Sequence, residues 1–365
     1  MKLTAEYIEK MSEHKQIADC VDKMTANINE YKMNSDLKTL EKLRDLCIKE
    51  DMKIEMAKMY RNVGMYYFHA DNINKAIIAM QLSIDILSHR GCPGLLARFY
   101  SELGLMYFYN HEYIYSKRYN EETEELLKQE PEADSKTLYL HYLRYGVLLS
   151  NMQDYEASRV KLENALNYAR DNRDEALAVM NIGLLYKRQR DLKTALRYYA
   201  KALCLVDSVD TKAKCMVYNN IAEVYKILGQ YEKALCYIEK AFGCIDDNDM
   251  SRLFVCFNTY TEIKILMGDK ESVLDEFLTL LVRVEDFHLY KGFIIEGIQN
   301  MITIGNEDER ILSRLEDAIV KLIEDNKYEN DEYIRELKVC MGNIRLFLRE
   351  IKKEEEKTKK PGTAT

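Results

Sequence analysis

The sequence has no tryptophan, only three prolines and only 14 glycines among 365 residues. So few turn formers argue against an all-β chain, whose many reversals draw on those residue types. No apolar run approaches the ~20 residues that cross a bilayer. The opening MKLTAEYIEKMSEHKQ contains no hydrophobic stretch suited to a secretory signal. There is no glycine-rich phosphate loop, no H-E-x-x-H and no G-x-S-x-G, and the six histidines are dispersed. The expectation is therefore no catalytic residue, no bound metal and no cofactor. A net charge of −8 and a pI near 5.5 argue against direct nucleic-acid binding. The nine cysteines include no C-x-x-C pair, and several, such as Cys204, Cys236 and Cys256, occupy apolar helical positions. Buried free thiols in a reducing cytoplasm are expected, not a disulfide framework or a zinc site.

What the chain does have is a register. A small residue followed by tyrosine or another large residue three positions on recurs in MYRNVGMYYF, FYSELGLMYF, HYLRYGVLLS, VMNIGLLYKR and VYNNIAEVYK. The small residues are Gly64, Gly104, Gly146, Gly183 and Ala222, with Thr261 a weaker sixth, at intervals of 40, 42, 37, 39 and 39. Twelve positions after the first five stand Ala76, Ser116, Ser158, Ala195 and Ala234. Spacings of three and four hold residues on one helix face. The twelve-residue step contains a short break such as LGQYEK, so each unit predicts a helical hairpin with small residues at the close approach. A lone hairpin cannot bury its apolar face, so the units must stack. Most of the 27 tyrosines fall at these packing positions. The acidic run EETEELLKQEPEAD (121–134) reads as a solvated helix end.

The unit containing Ile221, Ala222, Tyr225, Gly229, Tyr231, Ala234 and Ala241 resembles the tetratricopeptide repeat family, over roughly residues 55 to 285. The missing tryptophan and a period longer than about 34 depart from that family's pattern. The resemblance implies an all-α fold: a right-handed superhelix, an α-solenoid of about six helical hairpins with helical caps. The expected division is a helical segment or degenerate repeat at 1–55, with Ile28 and Leu40 in register, and the array at 56–290. A helical cap is expected at 291–352 and a disordered charged tail at 353–365. Pro93 and Pro131 fall between units, where a missing N–H costs little.

In such a stack the first helix of each hairpin lines a concave groove. The exposed face is expected to include the positions two and three before each small residue. Two before are Asn62, Glu102, Arg144, Asn181, Asn220 and Thr259; three before are Arg61, Ser101, Leu143, Met180, Asn219 and Asn258. Lys58, Arg98, Lys187, Arg188 and Glu223 are further candidates. Asparagine offers a donor and an acceptor to an extended backbone, and arginine a fork to a carboxylate. The residues expected to hold a short peptide or an unstructured protein segment are Arg61, Asn62, Arg98, Arg144, Asn181, Lys187, Arg188, Asn219, Asn220 and Glu223.

The carboxylate clamp of chaperone cochaperones does not fit, because Arg61 and Asn62 are followed by Ser101 and Glu102, then Leu140 and Arg144. The chain is more similar to the peptide-pheromone receptors of Gram-positive bacteria, the Rap and PlcR-like proteins. That resemblance implies a cytoplasmic regulator that binds a short re-imported peptide and acts on a second, signalling protein. Asn181 and Asn220 fall where that family holds peptide backbones. No helix-turn-helix is recognisable in the first 55 residues, and Gln16 is the only glutamine there that could act on a response regulator. A sensory input module of a larger enzyme, such as a diguanylate cyclase, and a plain assembly scaffold remain alternatives. The oligomeric state is open, a homodimer included.

Overall fold

The computed structural model describes residues 14–29, 37–69, 72–129, 133–206, 210–246, 249–282, 287–305, 308–326 and 331–359. All regular structure among them is helical. The first ten helices are α1 (His14–Asn29), α2 (Leu37–Lys49), α3 (Lys53–His69), α4 (Ile73–Leu87), α5 (Pro93–Tyr109), α6 (Tyr113–Lys128), α7 (Ser135–Asn151), α8 (Tyr155–Asn167), α9 (Asn172–Arg188) and α10 (Leu192–Leu205). Then come α11 (Thr211–Ile227), α12 (Tyr231–Phe242), α13 (Met250–Leu266), α14 (Lys270–Val282), α15 (Phe287–Gly305), α16 (Glu309–Asn326) and α17 (Asp331–Lys359). The chain forms two compact units, residues 1–205 and 206–365.

In the first unit, α3/α4, α5/α6, α7/α8 and α9/α10 are antiparallel hairpins, and α1 and α2 pack on α3. The small-residue register has a direct cause. A Cβ on Gly146 would stand 2.7 Å from Leu162, and one on Gly183 would stand 2.7 Å from Tyr199. On the facing helix, Ser116 and Ser158 donate to the carbonyls of Gly104 and Gly146, each at 2.7 Å, so the twelve-residue spacing is also a hydrogen bond. Leu40 is buried in this unit's core, as its register position requires, and the Ile28 side chain lies outside the described residues.

Two further features repeat with the same period. Aspartate stands twelve residues before the small residue and caps the first helix: Asp134, Asp171 and Asp210 accept from the N–H of Thr137, Asp174 and Ala213. Seven residues after the small residue the backbone turns left-handed, at His111, Gln153, Arg190, Gly229 and Gly268. That residue ends the first helix, and the N–H following it reaches back into the helix, as from Asp191 to the Tyr186 carbonyl at 3.0 Å.

In the second unit α11/α12 is a hairpin of the same kind, and α13 packs on α11, α12, α14 and α15. The cap is a larger apolar core shared by α13 to α17, with Phe254, Phe277, Ile298, Leu312 and Leu337 fully buried. Two expectations are corrected here. The boundary at 290 falls within α15, and α17 continues through Lys359, so residues 353–359 are helical; 360–365, like Pro131, lie outside the described residues. Pro93 is the first residue of α5, where its missing N–H has no helical partner to lose. Cysteine placement is corrected as well: Cys256 is buried, but Cys204 and Cys236 are exposed.

Candidate functional site

Within each unit, first helices pack on one another as well as on their own partners, α7 on α5 and α9, and α13 on α11, so a wide arc of each is covered. This overturns part of the expected open face. The position three before the small residue is a packing position: Arg61, Ser101, Leu143, Met180 and Asn219 are all buried. Asn62 and Glu102, two before, are buried too.

At the start of the array these residues satisfy one another. Arg61 Nε and Nη2 donate to the two Glu102 carboxylate oxygens at 2.6 and 2.5 Å, a bidentate pair linking α3 to α5. Arg61 Nη1 also donates to Asn62 Oδ1 at 3.2 Å, and Asn62 Nδ2 donates to Thr25 on α1 at 2.9 Å. Arg98 reaches Glu102 at 3.3 Å. Burial pushes the Glu102 carboxyl up, but Arg61, with Arg98 and Arg144 beyond it, holds it down at about 2. Arg61 and Asn62 therefore join helices here and are not an open receptor surface. Sequence inspection placed Glu102 beside them without its pairing, because Arg61 and Glu102 are 41 residues apart.

Farther along the first unit the expected residues are half-buried. Arg144 on α7 donates to Ser101 on α5 at 3.2 Å. Arg188 on α9 donates to Ser150 at 3.0 Å and Asn151 at 2.9 Å on α7. Asn181 donates to its own helix at the Leu177 carbonyl, 2.8 Å away, which directs its amide nitrogen inward and leaves its oxygen as the acceptor. Lys187 is half-buried on the same helix.

A second cluster escaped sequence reading. Lys161 pairs with Glu124 and lies over the rings of Tyr142 and Tyr145, at 5.7 and 5.0 Å. His141, fully buried, stands 3.9 Å from Glu124. Burial lowers the affinity of His141 for a proton. Gln16 is exposed on α1.

In the second unit, α11 carries Asn219, Asn220 and Glu223. Asn220 and Glu223 are half-buried, whereas Asn219 is 6% exposed. The Asn219 Oδ1 atom is buried and has no hydrogen-bond partner among the described residues. A buried acceptor of this kind is uncommon, because leaving it unpaired costs on the order of 1–3 kcal/mol. Among the described residues no group of three or more His, Cys, Asp or Glu side chains is arranged to hold a metal, and no helix is long and apolar enough to cross a membrane.

Residues 174–244 match the family model described as Tetratricopeptide repeat. No curated protein sequence matches the chain. Among solved structures, a Rap protein complexed with Competence and Sporulation Factor is 17% identical, over 95% of this chain and 91% of that one, with a TM-score of 0.59. Aspartyl phosphate phosphatase F from Bacillus subtilis is 14% identical, over 94% and 86%, with a TM-score of 0.56. A tetratricopeptide repeat protein from Parabacteroides merdae ATCC 43184 is 15% identical, over 78% and 99%, with a TM-score of 0.53. The all-α fold of stacked hairpins is thus that of tetratricopeptide-repeat proteins, and it resembles the Rap proteins over most of the chain.

Proposed function

We propose that this tetratricopeptide-repeat chain, similar in fold to the Rap proteins, is a cytoplasmic regulatory module that binds a short peptide or an unstructured protein segment. Its role is binding, with no turnover of its own. The observation that carries the reading is that Asn220 and Glu223, one turn apart on the first helix α11, stay half-buried, beside Asn219, whose buried Oδ1 has no hydrogen-bond partner among the described residues. An extended backbone offers an N–H and a C=O at every residue, which match the acceptor and donor of the Asn220 amide, and Glu223 would meet a basic side chain. In the first unit, Asn181 with Arg144, Lys187 and Arg188 would contact such a segment in the same way. Arg61 and Asn62 drop out of the binding set, and Arg98 stays at its edge. The fold shared with a Rap protein complexed with Competence and Sporulation Factor is compatible with this role.

The test is selection of ligands for the full chain from a displayed random heptapeptide library, followed by calorimetric titration of the selected peptides. Saturable one-to-one binding, lost on scrambling the peptide, is expected. Failure of any selected peptide to bind in solution would count against the reading.

A further inference from the structure

The Sγ atoms of Cys215 on α11 and Cys256 on α13 lie 3.6 Å apart, in van der Waals contact, although the two residues are 41 positions apart in sequence. Both are 1% exposed, within one apolar cluster that holds Ala222, Ala234 and Ile238. Closure to a disulfide, with its S–S length of about 2.05 Å, requires the sulfurs to approach by roughly 1.5 Å. Two helices already packed against each other can supply that by side-chain rotation and a small shift. From this contact we infer that Cys215 and Cys256 are an oxidative modification site, forming a reversible intrachain disulfide that joins consecutive first helices.

The chemistry requires a two-electron oxidant, and a peroxide suffices. The Cys215 thiolate attacks one peroxide oxygen and the O–O bond breaks; Cys215 becomes a sulfenic acid, and the other oxygen leaves as water after taking up a proton. The Cys256 sulfur then attacks the Cys215 sulfur, the S–O bond breaks, and its hydroxyl leaves as a second water with the Cys256 proton. Two thiols have lost two electrons and the peroxide has gained them. Cys215 is suited to begin, because the Cys256 S–H can donate to its thiolate and the Arg252 guanidinium adds a favourable charge, while burial and the nearby Asp249 oppose it. The second proton is held more tightly, by the neighbouring sulfur and by burial. Cys244, half-buried in the same cluster, is the competing thiol, and Cys204 and Cys236 are exposed controls. Asn219 lies one helical turn beyond Cys215, so the crosslink would act on the helix that carries the proposed binding residues. The site itself does not depend on that proposal.

The experiment exposes the reduced full chain to hydrogen peroxide, alkylates remaining thiols under denaturing conditions, and maps peptides by mass spectrometry without reduction. The expected result is a Cys215–Cys256 linked peptide, two hydrogens lighter than its parts, as the main crosslink and abolished by dithiothreitol. C215A and C256A should each remove it, and C204A and C236A should leave it intact. Recovery of Cys215 and Cys256 as unlinked alkylated thiols while Cys204 and Cys236 are oxidised would overturn the inference, as would a main crosslink through Cys244. The wild-type map decides this even if a variant folds poorly.

Discussion

Gln153 and Arg190 are exposed residues held at φ of 64° and 65°, in the place where the next two hairpins use Gly229 and Gly268. A left-handed backbone costs a side-chain-bearing residue roughly 1–2 kcal/mol, and glycine returns part of that gain through its freer unfolded state. Q153G and R190G should therefore each stabilise by about 0.5 kcal/mol, and together by about 1 kcal/mol since the sites are distant. Thermal unfolding checks this, with a rise of a few degrees expected for the double variant. Asn219 makes a different prediction at the same scale. Removing a buried amide oxygen that has no partner among the described residues relieves a desolvation penalty, so N219A should melt no lower than the wild type. A clear fall in melting temperature would show that Asn219 is a structural residue.

At the scale of elements, the hairpins depend on close approach. Valine at Gly146 would drive methyl groups into Leu162, which is 0% exposed and has nowhere to retreat. G146V should cost about 2 kcal/mol or more by overpacking, despite the loss of a helix-weakening glycine, and calorimetry or denaturant unfolding would measure it. The junction of α3 and α5 depends on charge instead. E102Q strands the Arg61 guanidinium in a buried site and should destabilise by about 3 kcal/mol; replacing both partners with apolar residues should cost less. The pH dependence has a definite sign. The Glu102 carboxyl lies at about 2 in the folded chain against an ordinary 4.5, so its stabilisation is fully present above 4.5 and is lost as the pH falls from there towards 2. E102Q should flatten that part of the acid unfolding curve.

Across the whole molecule, legibility follows from how many residue types a position tolerates. Gly64, Gly104, Gly146 and Gly183 stand where a larger residue would meet the facing helix, and Ala222 is fully buried, so the hairpin register can be read from sequence. Arg61, Asn62 and Glu102 are polar, and polarity on a helix suggests solvent; their burial is visible only when partners 41 residues away come together. His111, Gln153 and Arg190 betray nothing of their left-handed backbone, because their composition is ordinary. Of the expected binding residues, Asn181, Asn220, Arg144, Lys187, Arg188 and Glu223 remain half-buried on first helices, and Asn219 is buried with an acceptor unmet among the described residues. The most direct measurement is titration of a selected peptide into the N220A variant alongside the wild type. Loss of the donor and acceptor contacts of that amide, ~1 kcal/mol each, should weaken binding by about ten- to a hundredfold, with an unchanged or slightly higher melting temperature. Wild-type affinity in that variant, or early unfolding, would contradict the assignment of Asn220 to peptide binding.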